Sequence, residues 1–212
     1  MRAAFVPWAI MKQPLLEIFH RRHACHRFQA GCTLTRNDLD YILEAGRLSP
    51  SAFGLEQWKF VVLTTAADKQ AMQGACFNQP QVGEAAALVV ILAKLAELHP
   101  DSPYLQTLLE REYPGAAFAP ALDNYRGFFG AVDVAAWSAA QCHITAANMM
   151  TAAAAIGVDS CPIGGFAPEE VQRLLGIDPE RHQVALVLAL GACAEPAPAK
   201  QRLPLSDLVE YR

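Results

Sequence analysis

The chain has 212 residues and a formal net charge of −4, from 17 lysines and arginines against 21 aspartates and glutamates. Apolar residues make up 53% of the chain and charged residues 18%, a composition that excludes an intrinsically disordered protein. The mildly acidic balance provides no general field to attract nucleic acid or an anionic membrane surface. We therefore expect neither as a partner, and we expect any anionic ligand to be held by a local cluster of cations.

The organisation of the sequence predicts a single domain with a short N-terminal extension. Residues 1–12 contain an apolar stretch interrupted by Pro7 and no small-residue cleavage site of a signal peptide, so we expect them to lie outside the fold. Residues 13–212 contain no internal repeat, low-complexity linker or charge block. We expect them to form one domain.

Six cysteines are spread along the chain, at positions 25, 32, 76, 142, 161 and 193, without a C-x-x-C pair. In so apolar a chain this pattern favours small buried hydrophobic side chains over metal ligands. It also favours a reducing compartment, and we expect a cytoplasmic protein.

Helices and strands alternate along the chain. Pro14 suits a first helical turn and begins a short amphipathic helix that ends at the basic residues 20–22. Thr35 and Asp38 form a capping-box pattern, and the helix that follows is expected to stop before Pro50. Apolar segments 59–65, 87–93 and 184–190 predict strands, with helical patterns at 66–76 and 167–175 between them. These patterns predict a class with both α and β structure, in which the sheet is central and mostly covered.

Residues 134–158 contain no aspartate, glutamate, lysine or arginine. The length alone would allow a membrane span, but polar residues recur through the segment and alanine dominates the rest, which argues against one. A helix without charge on any face must be covered nearly all round. We therefore expect part of this helix to meet a second subunit.

The densest polar cluster runs from His20 to Phe28 and contains three histidines and three arginines. Its residues are consistent with three kinds of site. A metal site is disfavoured because the neighbouring cations would oppose a dication, whereas a solvated basic helix end and an anion site with a bidentate arginine both stay open. A second basic pair, Lys200 and Arg202, follows the last strand and is either a solvated tail or part of the same anion site.

Six segments occur in the order found in one enzyme family. They are RRHACHRF, GRLSPSAFGLEQWKFVVL, FNQPQ before an apolar strand, IGVDSCPIGGF, LALGACAEP and KQRLPLSDLVEYR. Over residues 13–212 the sequence resembles the flavin-dependent nitroreductase family, in its branch of oxygen-insensitive NAD(P)H nitroreductases. The resemblance implies an α+β fold with a central mixed sheet flanked by helices. It also implies a homodimer with a long interface helix and exchanged C-terminal arms, and one FMN in each of two interface sites.

The resemblance also implies a role for individual positions. Arg22, Lys200 and Arg202 match the cations that bind the FMN phosphate, and Asn78 matches an asparagine at the pyrimidine edge of the flavin. Residues 50–52 match a loop that reaches the cofactor of the other subunit, and residues 163–165 match the segment that covers one flavin face. The implied cofactor-binding residues are Arg22, His23, Ala24, His26, Pro50, Ser51, Ala52, Asn78, Gln81, Pro162, Ile163, Gly164, Gly165, Lys200 and Arg202.

Several of these positions depart from the family pattern. Ala24 replaces a serine, His26 and Gln81 replace lysines, and Gly164 replaces a glutamate that many relatives carry beside the flavin. Phe128 and Phe129 are expected either to contact substrate or to belong to the core.

The function implied is a ping-pong cycle. NADH or NADPH reduces the FMN at its N5 atom, and a nitroaromatic, quinone or similar small-molecule electron acceptor then oxidises it. No catalytic side chain and no metal are expected, because the cofactor carries the hydride chemistry. The alternatives are a flavin-binding dimer without activity, and an enzyme of the same family acting on a pteridine, a metal oxyanion or flavin itself.

Overall fold

The computed structural model describes residues 8–212, with side chains from residue 12 onward. The first helix begins at Trp8, so it includes part of the segment that we expected to lie outside the fold. Residues 1–7 of that segment lie outside the described residues. The domain boundary at residue 13 stays a prediction.

Eight helices and four strands make up the described fold. The helices are α1 Trp8–Arg21, α2 Arg36–Arg47, α3 Ala66–Ala75, α4 Pro80–Glu84, α5 Pro103–Glu112, α6 Phe118–Phe129, α7 Val134–Ala155 and α8 Pro168–Leu175. The strands are β1 Trp58–Leu63, β2 Ala87–Lys94, β3 Asp159–Ile163 and β4 His182–Gly191. All three predicted strands are present, and β3 was not predicted. No helix among the described residues combines the length and hydropathy of a membrane span.

The sheet has the strand order β1-β2-β4-β3, and all three pairings are antiparallel. This corrects the expectation of a mixed sheet within the described chain. The cause is that the helices after a strand return the chain to the same end of the sheet, so that the strand paired next runs in the opposite direction. Leu63, the last residue of β1, pairs with Leu88 at the start of β2. Among the described residues, parallel pairing is confined to a single β-bridge between Ala24 and Ser160, at the outer edge of β3.

Both faces of the sheet are buried, because alternate residues of each central strand enter different cores. Leu88, Val90 and Leu92 of β2 join a core formed with α3, α4 and α8. Their neighbours in β2 join a core formed with α2 and α7. Burial on both faces explains why the strand sequences are continuous apolar runs without polar alternation.

The capping box predicted for α2 is present. The Asp38 backbone N–H donates to Thr35 Oγ1 at 3.1 Å, and the Thr35 backbone N–H donates to Asp38 Oδ2 at 3.1 Å. Two of the N–H groups that a helix leaves without partners at its start are thereby satisfied. This fixes where α2 begins on the face of the sheet.

The cysteines only partly follow the prediction. Cys76, Cys142 and Cys161 are free and buried, as expected, and burial raises the pKa of Cys76 to about 11 and that of Cys142 to about 12. Cys25 and Cys193, however, form a disulfide across 168 residues. The sequence spacing could not indicate this pair, because only the fold brings the two segments together. The expected reducing compartment stays a prediction.

Helices α2 and α7 approach closely at Gly46. A β-carbon on Gly46 would lie 2.2 Å from Met149 Cε and 3.0 Å from Thr145 Oγ1. Thr145, which is buried, also donates its hydroxyl to the Gly46 carbonyl at 2.9 Å. The absence of a side chain at Gly46 therefore sets the distance between these two helices.

We expect Gly46→Ala to destabilise the protein by about 1–3 kcal/mol, because overpacking a buried contact forces Met149 and its neighbours to shift. Thermal unfolding measures the effect as a lower Tm. The control is Gly74→Ala in α3, where no atom lies within 4 Å of the added carbon and alanine is the better helix former. A Tm for Gly46→Ala equal to or above that of Gly74→Ala would show that α2 and α7 separate without cost.

Candidate functional site

The segment after α1 forms one wall of the candidate site. Ala24 forms its parallel bridge with Ser160 of β3, and the Cys25 N–H donates to the Ser160 carbonyl at 3.1 Å. Phe28, which is buried, forms an antiparallel bridge with Cys193. Residues 22–28 therefore run along the edge of the sheet and end against the chain that leaves β4.

The C-terminal arm, defined as residues 195–212, forms the opposite wall. Its base is held by two backbone hydrogen bonds: Gln29 N–H donates to the Ala192 carbonyl, and Ala194 N–H to the Arg27 carbonyl, each at 2.8 Å. Farther along the arm, Lys200 Nζ donates to the carbonyl of Arg22. This contact brings together two residues that are 178 positions apart in the sequence.

Three predicted phosphate-binding cations meet where the two walls face each other. Arg22, Lys200 and Arg202 line a recess of about 260 Å³, together with His20 and the apolar side chains of α1. The pKa of Lys200 is lowered, first by loss of hydration and then by repulsion from Arg22 and Arg202. No carboxylate is among the described residues that line this recess. An anion would therefore relieve an existing repulsion.

The recess adjoins a larger cleft of about 560 Å³, which shares these three cations. Seven of the predicted cofactor-binding residues line the cleft: Arg22, His23, Ala24, His26, Pro162, Lys200 and Arg202. The Nδ1 atom of His23 is buried and has no hydrogen-bond partner among the described residues. Because a buried polar atom without a partner is costly, a bound ligand is its natural partner. The basic recess and the orphan nitrogen fit a phosphorylated cofactor.

His26 and Arg27 have different surroundings. His26 lines the cleft. The Arg27 guanidinium instead binds the Glu84 carboxylate: its Nη2 lies 2.9 Å from Oε1, and its Nε donates to both carboxylate oxygens. Glu84 also accepts the Phe28 N–H at 3.1 Å. Arg27 therefore anchors its segment to α4, and His26 is the residue of the pair that faces the cleft.

The loop between α3 and α4 carries the predicted residue Asn78, and its residues line neither the recess nor the cleft of the described chain. Phe77 is 65% exposed and has a φ of 56°, and the predicted residue Asn78 follows with a φ of 57°. Gln79 donates its side-chain amide to the carbonyls of Gly165 at 2.7 Å and Cys76 at 2.9 Å. Gln79 thereby joins this loop to the segment after β3. A side chain bonded to backbone carbonyls leaves no signature in a single sequence.

Gln81 is buried and is not exposed to the cleft. Its amide donates to Gln79 Oε1 at 3.1 Å, so Gln81 supports the residue that holds Gly165. Ile163 is likewise buried, with its side chain in the core, whereas Gly164 and Gly165 are exposed. Contact of Gln81 or Ile163 with a cofactor stays a prediction.

The predicted loop residues Pro50, Ser51 and Ala52 do not line the cleft of their own chain. The Ala52 N–H donates to Gln141 Oε1 of α7 at 3.0 Å, and Ser51 Oγ accepts the Glu56 N–H at 2.9 Å. The loop thus lies against the long helix. This placement accords with the implied role of the loop at the site of a second subunit, which stays a prediction.

Phe128 and Phe129 pack into an aromatic group. Phe128 lies with its ring centroid 5.3 Å from Phe53 and 5.0 Å from Trp137, and Phe129 lies 6.1 Å from the buried Tyr125. Both residues are half-buried against the core formed by α5 and α6. The packing favours the core interpretation of these residues, and contact with substrate stays a prediction.

Comparison with known proteins places the chain in a family. Residues 20–192 match the model of the nitroreductase family. The chain belongs to that family. A protein of Staphylococcus haemolyticus named as an NAD(P)H nitroreductase is 32% identical over 215 residues, which cover 95% of this chain and 98% of that protein. One from Staphylococcus epidermidis is 34% identical over 218 residues, again 95% of this chain and 98% of the relative.

Solved structures of nitroreductase family members have the same fold. The Bacillus subtilis nitroreductase ydfN superimposes with a TM-score of 0.84 at 22% identity, over 94% of this chain and 99% of that one. A nitroreductase of Exiguobacterium sibiricum in complex with FMN gives a TM-score of 0.79 at 20% identity, over 93% and 97%. The Vibrio harveyi NADPH:FMN oxidoreductase complexed with NAD⁺ gives 0.69 at 19% identity, over 93% and 76%. This family member therefore has the family fold along nearly its whole length.

Proposed function

We propose that the protein is a homodimeric FMN-dependent oxidoreductase that uses NADH or NADPH to reduce nitroaromatics, quinones or similar small acceptors. The observation that carries the proposal is the meeting of Arg22, Lys200 and Arg202 beside a cleft in which the described residues offer His23 Nδ1 no hydrogen-bond partner. The names of the Staphylococcus relatives and of the Vibrio harveyi and Exiguobacterium structures support the choice of cofactor and reductant.

In this proposal the basic recess holds the phosphate. Arg22 and Arg202 present planar guanidinium groups that bind phosphate oxygens in pairs, and Lys200 adds a compact charge. Their mutual repulsion keeps the recess ready for a dianion, since binding removes an unfavourable interaction as well as adding hydrogen bonds. His23 and His26 lie on the adjoining wall of the cleft, where they would contact the ring system.

In this proposal, the residues around the flavin rings orient the rings and leave one face of the flavin open to the reductant and the acceptor. When bound, FMN supplies the hydride chemistry, accepting two electrons from NAD(P)H and passing them to the acceptor. Gly164 is exposed and has no atom within 4 Å of the position that a β-carbon would occupy, so the segment after β3 leaves room for a ligand at this point. Gln79 holds the neighbouring Gly165 in place. These residues orient a cofactor and take no proton.

The proposed activity has a direct optical test. Purified protein should be yellow, should bleach when NADH or NADPH is added without oxygen, and should regain colour when a nitroaromatic or a quinone follows. The spectrum near the flavin absorption bands gives both half-reactions. A colourless protein that takes up no FMN would contradict the proposal, and a yellow protein that neither reductant bleaches would favour the flavin-binding dimer without activity.

Arg202→Ala should raise the Kd for FMN by about one to two decades, because a charge-assisted hydrogen bond contributes about 1.5–3 kcal/mol. Riboflavin, which lacks the phosphate, should bind both proteins equally. Quenching of flavin fluorescence measures both constants. Arg212→Ala is the matched control, since Arg212 lies on the same arm but pairs with Glu210 away from the cleft. Equal weakening of FMN and riboflavin would assign Arg202 to the fold and not to the phosphate.

A homodimer is supported by three unsatisfied surfaces of the single chain. One face of α7 is exposed although the helix carries no charged residue; it comprises Ala136, Ala140, His143, Ile144, Ala147, Asn148 and Ala155. The outer edge of β1 has no strand partner among the described residues. The arm exposes large apolar side chains, with Leu203 and Leu208 each 65% exposed. A second copy would cover all three, with the arm of one chain lying on the other.

Ile144→Glu should convert the dimer to monomer or raise its dissociation constant at least about tenfold, because it places a charge in an apolar interface. Sedimentation at micromolar concentration measures the change. Gln70→Glu, at an exposed position of α3, is the control and should stay dimeric. Wild-type protein that sediments as a folded monomer while holding FMN would contradict the dimer.

His26 offers a test of how the cleft affects the cofactor. Two-electron reduction leaves negative charge on the pyrimidine side of the flavin, and a nearby cation lowers the energy of that state. A lysine side chain keeps its positive charge, so His26→Lys places a fixed cation in the cleft. The midpoint potential of bound FMN, measured at one fixed pH, should therefore be higher in His26→Lys than in His26→Ala. Identical midpoint potentials in wild type, His26→Lys and His26→Ala would remove His26 from the site.

A further inference from the structure

The disulfide between Cys25 and Cys193 lies at the junction of the two walls of the candidate site. Their Cα atoms are 5.8 Å apart, within the usual range for a disulfide. Cys25 sits between the cleft residues Ala24 and His26, three positions after Arg22. Cys193 follows β4 and lies between Ala192 and Ala194, whose backbone hydrogen bonds hold the base of the arm. The bond thus joins the segment that carries one cation to the segment that carries the other two.

The arm has few other attachments to its own chain. Among the described residues, the hydrogen bond from Lys200 Nζ to the Arg22 carbonyl is the one that links residues 195–212 to the remainder of the protomer. Repulsion works against this contact, because Arg22 and Arg202 both disfavour the charged form of Lys200. The position of the arm in the absence of an anion therefore depends on how firmly its base is held. The disulfide and the two backbone hydrogen bonds at residues 27–29 provide that hold.

The two sulfurs differ in access. Cys25 is fully buried, whereas Cys193 is half-buried. Thiol–disulfide exchange requires a thiolate to reach one sulfur, and the accessible one is attacked. Cys193 is therefore the entry point, and Cys25 is the leaving thiolate.

We propose that Cys25 and Cys193 form a reversible redox site, opened by a dithiol reductant, whose state sets how firmly the arm closes on the FMN phosphate. The coupling to FMN rests on the proposed function; the redox pair itself does not. The oxidised form holds the arm base and favours cofactor retention. The reduced form leaves the base held by backbone hydrogen bonds alone and releases cofactor more readily. Such a pair is compatible with a reducing compartment, because it is opened and closed and not permanently oxidised.

The exchange balances as follows. One thiolate of the dithiol attacks the Cys193 sulfur, forming a mixed disulfide, while Cys25 leaves as a thiolate and takes up a proton. The second thiol of the reductant then attacks the reductant's first sulfur, which is bonded to Cys193 in the mixed disulfide. This closes the disulfide of the reductant, and Cys193 leaves as a thiolate and is protonated. Two electrons and two protons move from the dithiol to the protein. The reverse exchange with an oxidised dithiol closes the bond again.

The first test counts thiols in the wild-type protein, purified without reductant and then unfolded in denaturant. Four of the six cysteines should react with an aromatic disulfide reagent, and six should react after treatment with dithiothreitol. Removing the dithiothreitol and adding an excess of oxidised protein disulfide isomerase, a stronger oxidant of the same dithiol class, to the folded protein should restore the count of four. Six reactive thiols both before reduction and after this oxidation would overturn the proposal.

The second test measures the Kd for FMN in the oxidised and reduced states. Reduction should raise it about three- to tenfold, because a less organised arm binds more weakly, and the Kd for riboflavin should stay constant. Cys193→Ser should bind as the reduced wild type does, whatever the redox state. Cys32→Ser, which alters a free cysteine, is the control and should keep the full response. The Kd for FMN of the wild-type protein, measured in both redox states, tests the coupling even without the variants.

The outcomes separate this proposal from the proposed function. A thiol count that changes from four to six without any change in the Kd for FMN would overturn the coupling. A protein that binds no FMN in either state, while its thiol count still changes, would overturn the proposed function and the coupling together but leave the redox pair standing. A loss of the response in Cys32→Ser would assign the effect to a different cysteine and overturn the assignment to Cys25 and Cys193.

Discussion

The backbone pairing of residues 27–29 with residues 192–194 is the constraint on which the candidate site depends. It consists of two hydrogen bonds of 2.8 Å and the bridge from Phe28 to Cys193. The pairing directs the segment after α1 and the C-terminal arm toward each other, so that Arg22 and Lys200 share one recess. The three cations of this recess repel one another, so they do not come together without other contacts. The backbone contacts bring them together, and an anion makes the arrangement favourable.

The sheet supplies a rigid support for these peripheral segments. Its central strands are buried on both faces, and β4 contacts both cores before it releases the arm. The site itself is built at the sheet edge from an extended segment, two glycines and the arm, where fewer apolar contacts are buried. Stability is therefore concentrated in the framework, and the binding residues belong to the part of the molecule that opens most easily.

The strengths and failures of the sequence-based predictions have physical causes. Continuous apolar runs identified β1, β2 and β4, because burial of a strand leaves a composition that is visible in one sequence. The uncharged stretch identified α7, although one face of that helix is exposed in the single chain. Strand β3 was missed because Ser160 and Pro162 are poor strand residues; pairing with β4 stabilises the strand, and its place at the sheet edge tolerates proline. The family resemblance, confirmed by the comparisons, came from ordered motifs and not from periodicity.

The site was predictable to the extent that its residues lie in motifs. Seven of the predicted residues line one cleft, but no local pattern could indicate that Gln81 bonds Gln79, that Cys25 meets Cys193, or that Phe77 takes a left-handed conformation. Each of these depends on a contact made by tertiary structure. The roles of the individual residues toward the cofactor stay predictions.

The distance along the chain between Arg22 and Lys200 has a consequence for biosynthesis. The two residues are 178 positions apart, and synthesis proceeds at about 5–20 residues per second, so roughly 10 to 35 seconds separate their emergence. Throughout that interval the nascent chain carries one of the three cations of the basic recess and cannot complete it. The framework strands β1 and β2 and the helix α7 are all made before residues 200–202 exist. An anion that needs all three cations can therefore bind only after these late residues have been made, and it cannot template the early steps of folding.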